Sequence, residues 1–288
     1  MRKGFVSVLL LLRNFRGIGG SLVGRARLRL DLIIRPNQLD ALREASLAAF
    51  EREMADHLWQ FSPIHCQVIK ESGVYEVIRL GMKRSADCGF ANRGSIRLFL
   101  ELMFMFGSEF STDPQHVWAE PYLDPSMPAD EMYRAELLFN AAQNYLERVS
   151  GPNHRYAAAS LRRTRAEISQ AGQRLAIPPD EFEPAILSTL RAVYPEKAAY
   201  LKDEGLRRIV AIGGQLAAQH DIRHMRGTAV FVFLVFALGH GFANDPLYPW
   251  LRNVLVDPLL ATPEDRAARL EAKAVIYLDR VIEYVRGM

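Results

Sequence analysis

The sequence is poor in cysteine, with two in 288 residues. Cys66 and Cys88 cannot build a disulfide framework or a cysteine-based zinc site, so we expect a reduced, cytoplasmic protein. No serine, threonine or cysteine stands in a nucleophile elbow, and no pair of carboxylates stands out as an acid and a base. The sequence therefore indicates no catalytic residue and no cofactor.

Long hydrophobic runs are also missing. The longest uninterrupted one, Ala229 to Leu238, has ten residues. As a helix it would rise about 15 Å, against about 30 Å of bilayer hydrocarbon. The composition, 49% hydrophobic and 24% charged, is that of an ordinary globular protein. We therefore expect a folded chain without stable membrane insertion.

Acidic residues are absent from the first thirty positions, which contain seven lysines and arginines. The other residues then hold 29 basic against 33 acidic side chains, a net charge of −4. Because phosphate binding needs a clustered basic face, this mildly acidic body does not indicate a nucleic-acid partner. We expect residues 1–30 to be a disordered basic leader. The alternative is a segment that attaches a peripheral protein to a membrane surface.

What the sequence does contain is an internal repeat with a shift of 132 positions. Residues that match at this shift include Phe50 and Phe182, Pro63 and Pro195, Gly81 and Gly213, Gly107 and Gly239, Asp113 and Asp245, Trp118 and Trp250, and Tyr145 and Tyr277. The pattern predicts a tandem duplication of a unit of about 110 residues. The predicted units are residues 38–149 and 175–285, joined by a connector at 150–174.

The periodicity within a unit is helical, which predicts an all-α fold. Apolar residues recur at three and four positions over 40–61, and the strongly apolar stretches 95–106 and 228–238 are expected to be central buried helices. We expect Gly81 and Gly213 to lie in close contact with a neighbouring helix, since glycine otherwise weakens a helix. Predicted closing helices run from 129 to 149 and from 263 to 285.

A turn with the same sequence pattern follows each of the two central helices. Gly107 and Gly239 are expected to end the helices, and Asp113-Pro114 and Asp245-Pro246 to open short helices with the aspartate as N-cap. For both aspartates a general acid or base role is the alternative. The tryptophans Trp118 and Trp250 follow one turn later, either packed in the core or stacked on a ligand.

The segment from Ser85 to Pro114 reads SADCGFANRGSIRLFLELMFMFGSEFSTDP. It is similar to a family of bacterial all-helical proteins that are often encoded among spike, PAAR-tip and effector genes of type VI secretion loci. The resemblance covers the chain from about residue 35 onward, once in each unit. It implies a helical fold and a secretion context, and it carries no catalytic residues. The chain departs from the family pattern at 227–230, where apolar residues stand in place of a charged one.

These observations favour a non-enzymatic protein-interaction module, such as an adaptor, effector chaperone or immunity protein of a secretion system. Its partner would be a protein, an effector or a secretion component. The predicted binding residues are the polar Gln115 and Asn244, expected at the surface of the two turns, together with Trp118 and Trp250. No oligomeric state is indicated.

A metal-dependent hydrolase is the alternative from another class. His220 and His224 are spaced so that a helix would place both on one face, and Asp245 could supply a carboxylate. Residues 219–224 also fit a loop between helices, and the first unit has no equivalent of His224.

Overall fold

The structure is a computed structural model that describes residues 36–174, 178–260 and 262–286. The predicted leader, residues 1–30, lies outside these ranges. Every regular element within them is helical, which confirms the all-α class. The α-helices are α1 (Pro36–Phe61), α2 (Pro63–Asp87), α3 (Arg93–Phe106), α4 (Glu120–Leu123), α5 (Glu131–Ser150), α6 (Arg155–Arg174), α7 (Phe182–Val193), α8 (Pro195–Gln219), α9 (Met225–Leu238), α10 (Pro249–Leu255) and α11 (Pro263–Arg286).

Helices α3 and α9 form the centre of the fold, as their sequences predict. Helix α3 packs against α1, α2 and α5, and α9 packs against α6, α7, α8 and α11. The side chains of Phe99, Phe231 and Phe236 are at most 2% exposed. Burial of such a side chain contributes about 1.5–3 kcal/mol. The apolar runs therefore hold the surrounding helices together.

Corresponding elements of the two halves have corresponding bounds. Helices α2 and α8 begin and end 132 residues apart, and so do α3 and α9. Both α2 and α8 are interrupted by a residue with positive φ, Lys70 at 64° and Lys202 at 59°. These bounds support the predicted repeat, and the duplication of one unit stays a prediction.

The predicted connector is part of the helical core. It contains helix α6, which packs against α5, α7, α9 and α11. Ile168 of this helix is fully buried, and Arg165 donates two hydrogen bonds to Asp279 of α11, at 2.8 and 3.0 Å. Residues 150–174 thus do more than link the two predicted units, because they cover one side of α9.

Gly81 and Gly213 lie where α2 and α8 contact the central helices. A Cβ atom at Gly81 would come within 2.9 Å of Met103 Sδ, and one at Gly213 within 2.7 Å of Val232 Cα. The expected close contacts are therefore confirmed. At Gly213 the obstacle is the backbone of α9, which a rotamer change cannot move.

Two adjacent glycines of α8 provide a matched test of this packing. We expect Gly213→Ala to lower the free energy of unfolding by about 1–3 kcal/mol, the usual range for overpacking. Gly214→Ala should raise it by up to about 1 kcal/mol, because a Cβ there meets nothing within 4 Å and alanine favours the helix. Urea denaturation of both variants measures the two effects. An equal change in both would contradict the close approach of α8 to α9.

Candidate functional site

Two turns follow the central helices and come together at the middle of the molecule. We call residues 107–118 the first turn and residues 239–250 the second turn. Gly107 and Gly239 open them with φ of 96° and 98°, in the left-handed region that favours glycine. The predicted ends of the two central helices are thereby confirmed.

The ends of the central helices are in direct backbone contact. A Cβ atom at Gly107 would lie 2.9 Å from the carbonyl oxygen of Leu238, and one at Gly239 would lie 3.3 Å from that of Phe106. Each glycine thus faces the last carbonyl of the opposite helix. A side chain at either position would push the two halves apart.

A carboxylate from each turn binds the backbone of the other turn. Asp113 Oδ2 accepts a hydrogen bond from the amide of His240, and Asp245 Oδ2 accepts one from the amide of Ser108, both at 2.8 Å. The two aspartates are 4% and 3% exposed. Charge-assisted bonds of this kind, shielded from water, are about twice as strong as neutral ones. The two turns are therefore joined by a reciprocal pair of strong contacts.

The second oxygen of each carboxylate caps its own turn. Asp113 Oδ1 accepts from the amide of Gln115 at 2.9 Å and so caps the short 3₁₀ helix that follows, as predicted. Asp245 Oδ1 accepts from the amide of Leu247 at 2.9 Å, but no helix opens there, because α10 begins at Pro249. The prediction of a helix at Asp245-Pro246 is thus wrong, since the segment forms a turn instead.

The two carboxyl groups differ in their electrostatic surroundings. Burial acts to raise the pKa of Asp113, but hydrogen bonds from His240 and Gln115 and, at the acidic pH where Asp113 titrates, the positive charge of His116 outweigh it and hold that pKa below its ordinary value. For Asp245 burial prevails over the bond from Ser108, so its pKa is raised. The Asp113 carboxylate in turn raises the pKa of His240, whose Nδ1 lies 3.4 Å from Oδ2.

A cavity of about 180 Å³ lies behind the two turns, between the two halves of the chain. Helices from both halves and residues of both turns form its walls. Its aromatic lining residues are Phe106, Tyr145, Tyr194, Phe236, Tyr248 and Tyr277. Its nitrogen-bearing side chains are those of His65, Gln115, His116 and Lys197. The cavity therefore combines aromatic walls with several buried polar groups.

Lys197 of α8 is 8% exposed and reaches the end of α9. Its Nζ donates a hydrogen bond to the carbonyl oxygen of Phe236 at 2.6 Å and lies 4.8 Å from the centroid of that ring. The last carbonyls of a helix lack partners within the helix, so the lysine satisfies one of them. Burial lowers the pKa of Lys197 to about 8, although the charge of Asp113 partly opposes this effect.

His65 and His116 lie in the same cavity and are neutral at pH 7. Burial lowers the pKa of each to about 4. The ring of His65 packs edge-on against Phe104 and Tyr248, with centroids 5.9 and 5.6 Å apart. The ring of His116 lies 4.9 Å from that of Phe106. Both imidazoles are thus parts of an aromatic cluster.

Gln115 lies inside the molecule, which corrects the expectation that it is exposed. It is 1% exposed, and its Nε2 donates to Asp113 Oδ2 at 3.2 Å and to the carbonyl oxygen of Val235 at 2.9 Å. The side chain is buried because the turn folds back onto the end of α9, where Gln115 gives the carbonyl oxygen of Val235 a second donor beside the amide of Gly239. Gln115 can therefore contribute to the cavity and cannot contact a partner at the surface.

The other three predicted binding residues lie in different surroundings. Asn244 is exposed, and Trp118 and Trp250 are half-buried. The two indoles pack on Tyr145 and Tyr277, each with ring centroids 5.5 Å apart and interplanar angles of 24° and 30°. The tryptophans therefore fix the ends of α5 and α11 against the turns. This packing role explains their presence at equivalent positions without a bound ligand.

A wide surface groove of about 720 Å³ runs beside the first turn. It is bordered by Arg84, Asp87, Cys88, Glu109, Ser111, Thr112, Glu120, Pro121, Leu123 and Asp124. We call it the acidic groove, because four carboxylates line it against one arginine. Two polar residues of the first turn, Ser111 and Thr112, form part of this border.

The structure does not assemble the metal site of the hydrolase hypothesis. His220 follows the last residue of α8 and His224 precedes α9, so the two lie in a loop and not on one helix face. His224 Nδ1 accepts a hydrogen bond from the amide of Gly227, and the carboxylate of Asp245 accepts one from the amide of Ser108 in the first turn. Across the described ranges, no group of three or more histidine, cysteine, aspartate or glutamate side chains could hold a metal ion.

Sequence reasoning missed Lys197, His116 and His65 as residues of one site. The repeat contained a usable signal, because a shift of 132 pairs His65 with Lys197 and His116 with Tyr248. Each pair therefore occupies equivalent places on the two sides of the cavity. The pairs are hard to recognise in the sequence because their members differ in residue type.

No family model, curated protein or solved structure matches this chain. The resemblance to proteins of secretion loci therefore remains a hypothesis based on the quoted motif. Among the described helices, none is both long and apolar enough to cross a membrane.

The buried histidines predict a pH dependence of stability. Their pKa is about 4 in the folded chain and 6.5 in the unfolded chain, so protons bind the unfolded state first as the pH falls. The stabilisation is present above pH 6.5 and is lost on acidification, by about 2 kcal/mol per histidine between pH 7 and 5. A His65→Gln, His116→Gln variant should lose most of this dependence in urea titrations. If the free energy of unfolding changed equally with pH in the variant and the wild type, the burial of neutral imidazoles would be contradicted.

Proposed function

We propose that the chain is a non-enzymatic protein-binding module whose partner inserts a basic segment into the acidic groove. The observation that carries this proposal is the charge of the groove. Arg84 donates to Glu109 and to the carbonyl oxygen of Ser108, so its charge is already engaged. The remaining carboxylates give the groove a net negative charge. A lysine- or arginine-rich segment is the complementary ligand.

Three carboxylates of the groove are available to a partner. Asp87, Glu120 and Asp124 are exposed, and none of them forms an ion pair with another residue in the described ranges. An exposed ion pair contributes about 0.2–1 kcal/mol, so several together can give measurable affinity and orientation. The groove therefore keeps a net negative charge, which the guanidinium groups of Arg84 and Arg134 offset only in part.

A buried arginine supports the shape of the groove. Arg134 is 4% exposed and donates to the carbonyl oxygens of Cys88 and Gly89, at 3.1 and 3.0 Å, and to that of Asp124 at 2.9 Å. It thereby ties the end of α2 to the segment after α4. Because these walls are fixed before binding, a partner loses less free energy in ordering them.

On the resemblance, we place this binding activity in a bacterial secretion system, where the partner would be an effector or a secretion component. An adaptor, an effector chaperone or an immunity protein would each use such a surface. No observation in the described ranges favours the metal-dependent hydrolase.

Binding of a short fluorescent peptide rich in lysine and arginine tests the proposal. We expect the double variant Asp87→Asn, Glu120→Gln to weaken binding by about tenfold, because two charge contacts are lost. Fluorescence anisotropy at low salt gives the dissociation constants. In affinity purification from the native host, the same variant should lose a protein that the wild type retains.

The matched control is Glu44→Gln, Glu76→Gln, which removes the same charge from exposed positions of α1 and α2. It should bind the peptide and the host partner as the wild type does. Equal weakening in both double variants would mean that only the net charge matters. That result, or the absence of binding, would overturn the acidic groove as the docking site.

A further inference from the structure

Lys197 is a buried charge without a carboxylate partner. No aspartate or glutamate oxygen of the described residues lies within 4 Å of its Nζ, and Asp113 acts on it only from a greater distance. Charged groups in protein interiors are normally paired, because removing a charge from water costs several kcal/mol. The contact of Nζ with the carbonyl oxygen of Phe236 occupies one of its three N–H groups. Two N–H groups thus remain for another acceptor.

The cavity beside Lys197 has the size of a small organic molecule. A cavity of about 150 Å³ holds benzene, and this one measures about 180 Å³. One aromatic ring with a substituent of two or three atoms would fill it. Aromatic walls favour such a ring, since ring pairs at 4.5–7 Å attract one another.

We propose that this cavity binds a small aromatic monocarboxylate, whose ring packs among the tyrosines and phenylalanines and whose carboxylate accepts hydrogen bonds from Lys197. The carboxylate places a full negative charge beside the ammonium group, which otherwise faces only the carbonyl oxygen of Phe236 and the more distant Asp113. Tyr145 lines the same cavity, and we expect its hydroxyl group to donate to the second carboxylate oxygen, since the hydroxyl of Tyr194 already donates to the carbonyl oxygen of Val149 at 3.0 Å. The proposal rests on the cavity alone and does not depend on the acidic groove.

The residues that line the cavity differ in exposure. Leu161 of α6, Leu238 of α9 and Val281 of α11 are half-buried and Ala237 of α9 is exposed, whereas Tyr145 and Tyr248 are 4% and 6% exposed. The wall of the cavity therefore includes residues that solvent reaches.

Isothermal titration with benzoate and with benzamide tests the inference. The two probes have the same shape, but only benzoate carries a negative charge. We expect benzoate to bind the full chain with a dissociation constant below about 1 mM, and at least about tenfold more tightly than benzamide. Equal affinities, or no binding of benzoate at 10 mM, which is about ten times that limit, would overturn the proposal.

Two variants locate the site. Lys197→Met should weaken benzoate binding by at least about tenfold and leave benzamide binding within about threefold, whereas Lys83→Met, at an exposed lysine of α2, should change neither. Ala157→Leu keeps Lys197 but places a larger side chain on the cavity wall, and it should abolish the binding of both probes. Ala157→Leu also serves if Lys197→Met fails to fold. An unchanged affinity for benzoate in either variant would contradict the cavity as its site.

Discussion

The fold depends on the crossed hydrogen bonds between Asp113 and the amide of His240 and between Asp245 and the amide of Ser108. They join two turns that lie more than a hundred residues apart in the chain. Each carboxylate caps its own turn with one oxygen and holds the opposite turn with the other. The relative position of the two central helices is thereby fixed at their ends. The cavity borders both turns, and the acidic groove borders the first turn.

This arrangement brings several negative charges together, which explains why cationic side chains surround the two turns. The C-terminal ends of α3 and α9 meet, and each carries the partial negative charge of its helix dipole. Two buried carboxylates lie at the same place. Lys197 on the carbonyl of Phe236 and Arg84 on the carbonyl of Ser108 supply compensating charge, and Asp113 raises the pKa of the neighbouring His240. A carboxylate ligand beside Lys197 would add a further negative charge at this place. It can therefore bind only while the ammonium group of Lys197 keeps its positive charge.

Local signals in the sequence predicted much of the fold. The periodicity of α1, α3, α5, α9 and α11 and the glycines at the helix ends gave elements within a few residues of those observed, since both effects are local. The burial of Gln115 could not be predicted, because it depends on the carbonyl of Val235 on the other half of the chain. The acidic groove likewise brings together α2, the first turn and α4, which are separated in sequence. Long-range packing decided these features.

Amide hydrogen exchange at His240 and Ser108 tests the crossed bonds most directly. In Asp113→Ala the exchange of the His240 amide should accelerate, while the Ser108 amide stays protected. In Asp245→Ala the Ser108 amide should exchange faster, and the His240 amide should keep its protection. Each substitution would then act on the amide of the opposite turn, as the structure requires. Acceleration confined to the amides of the substituted residue's own turn would contradict the crossed arrangement.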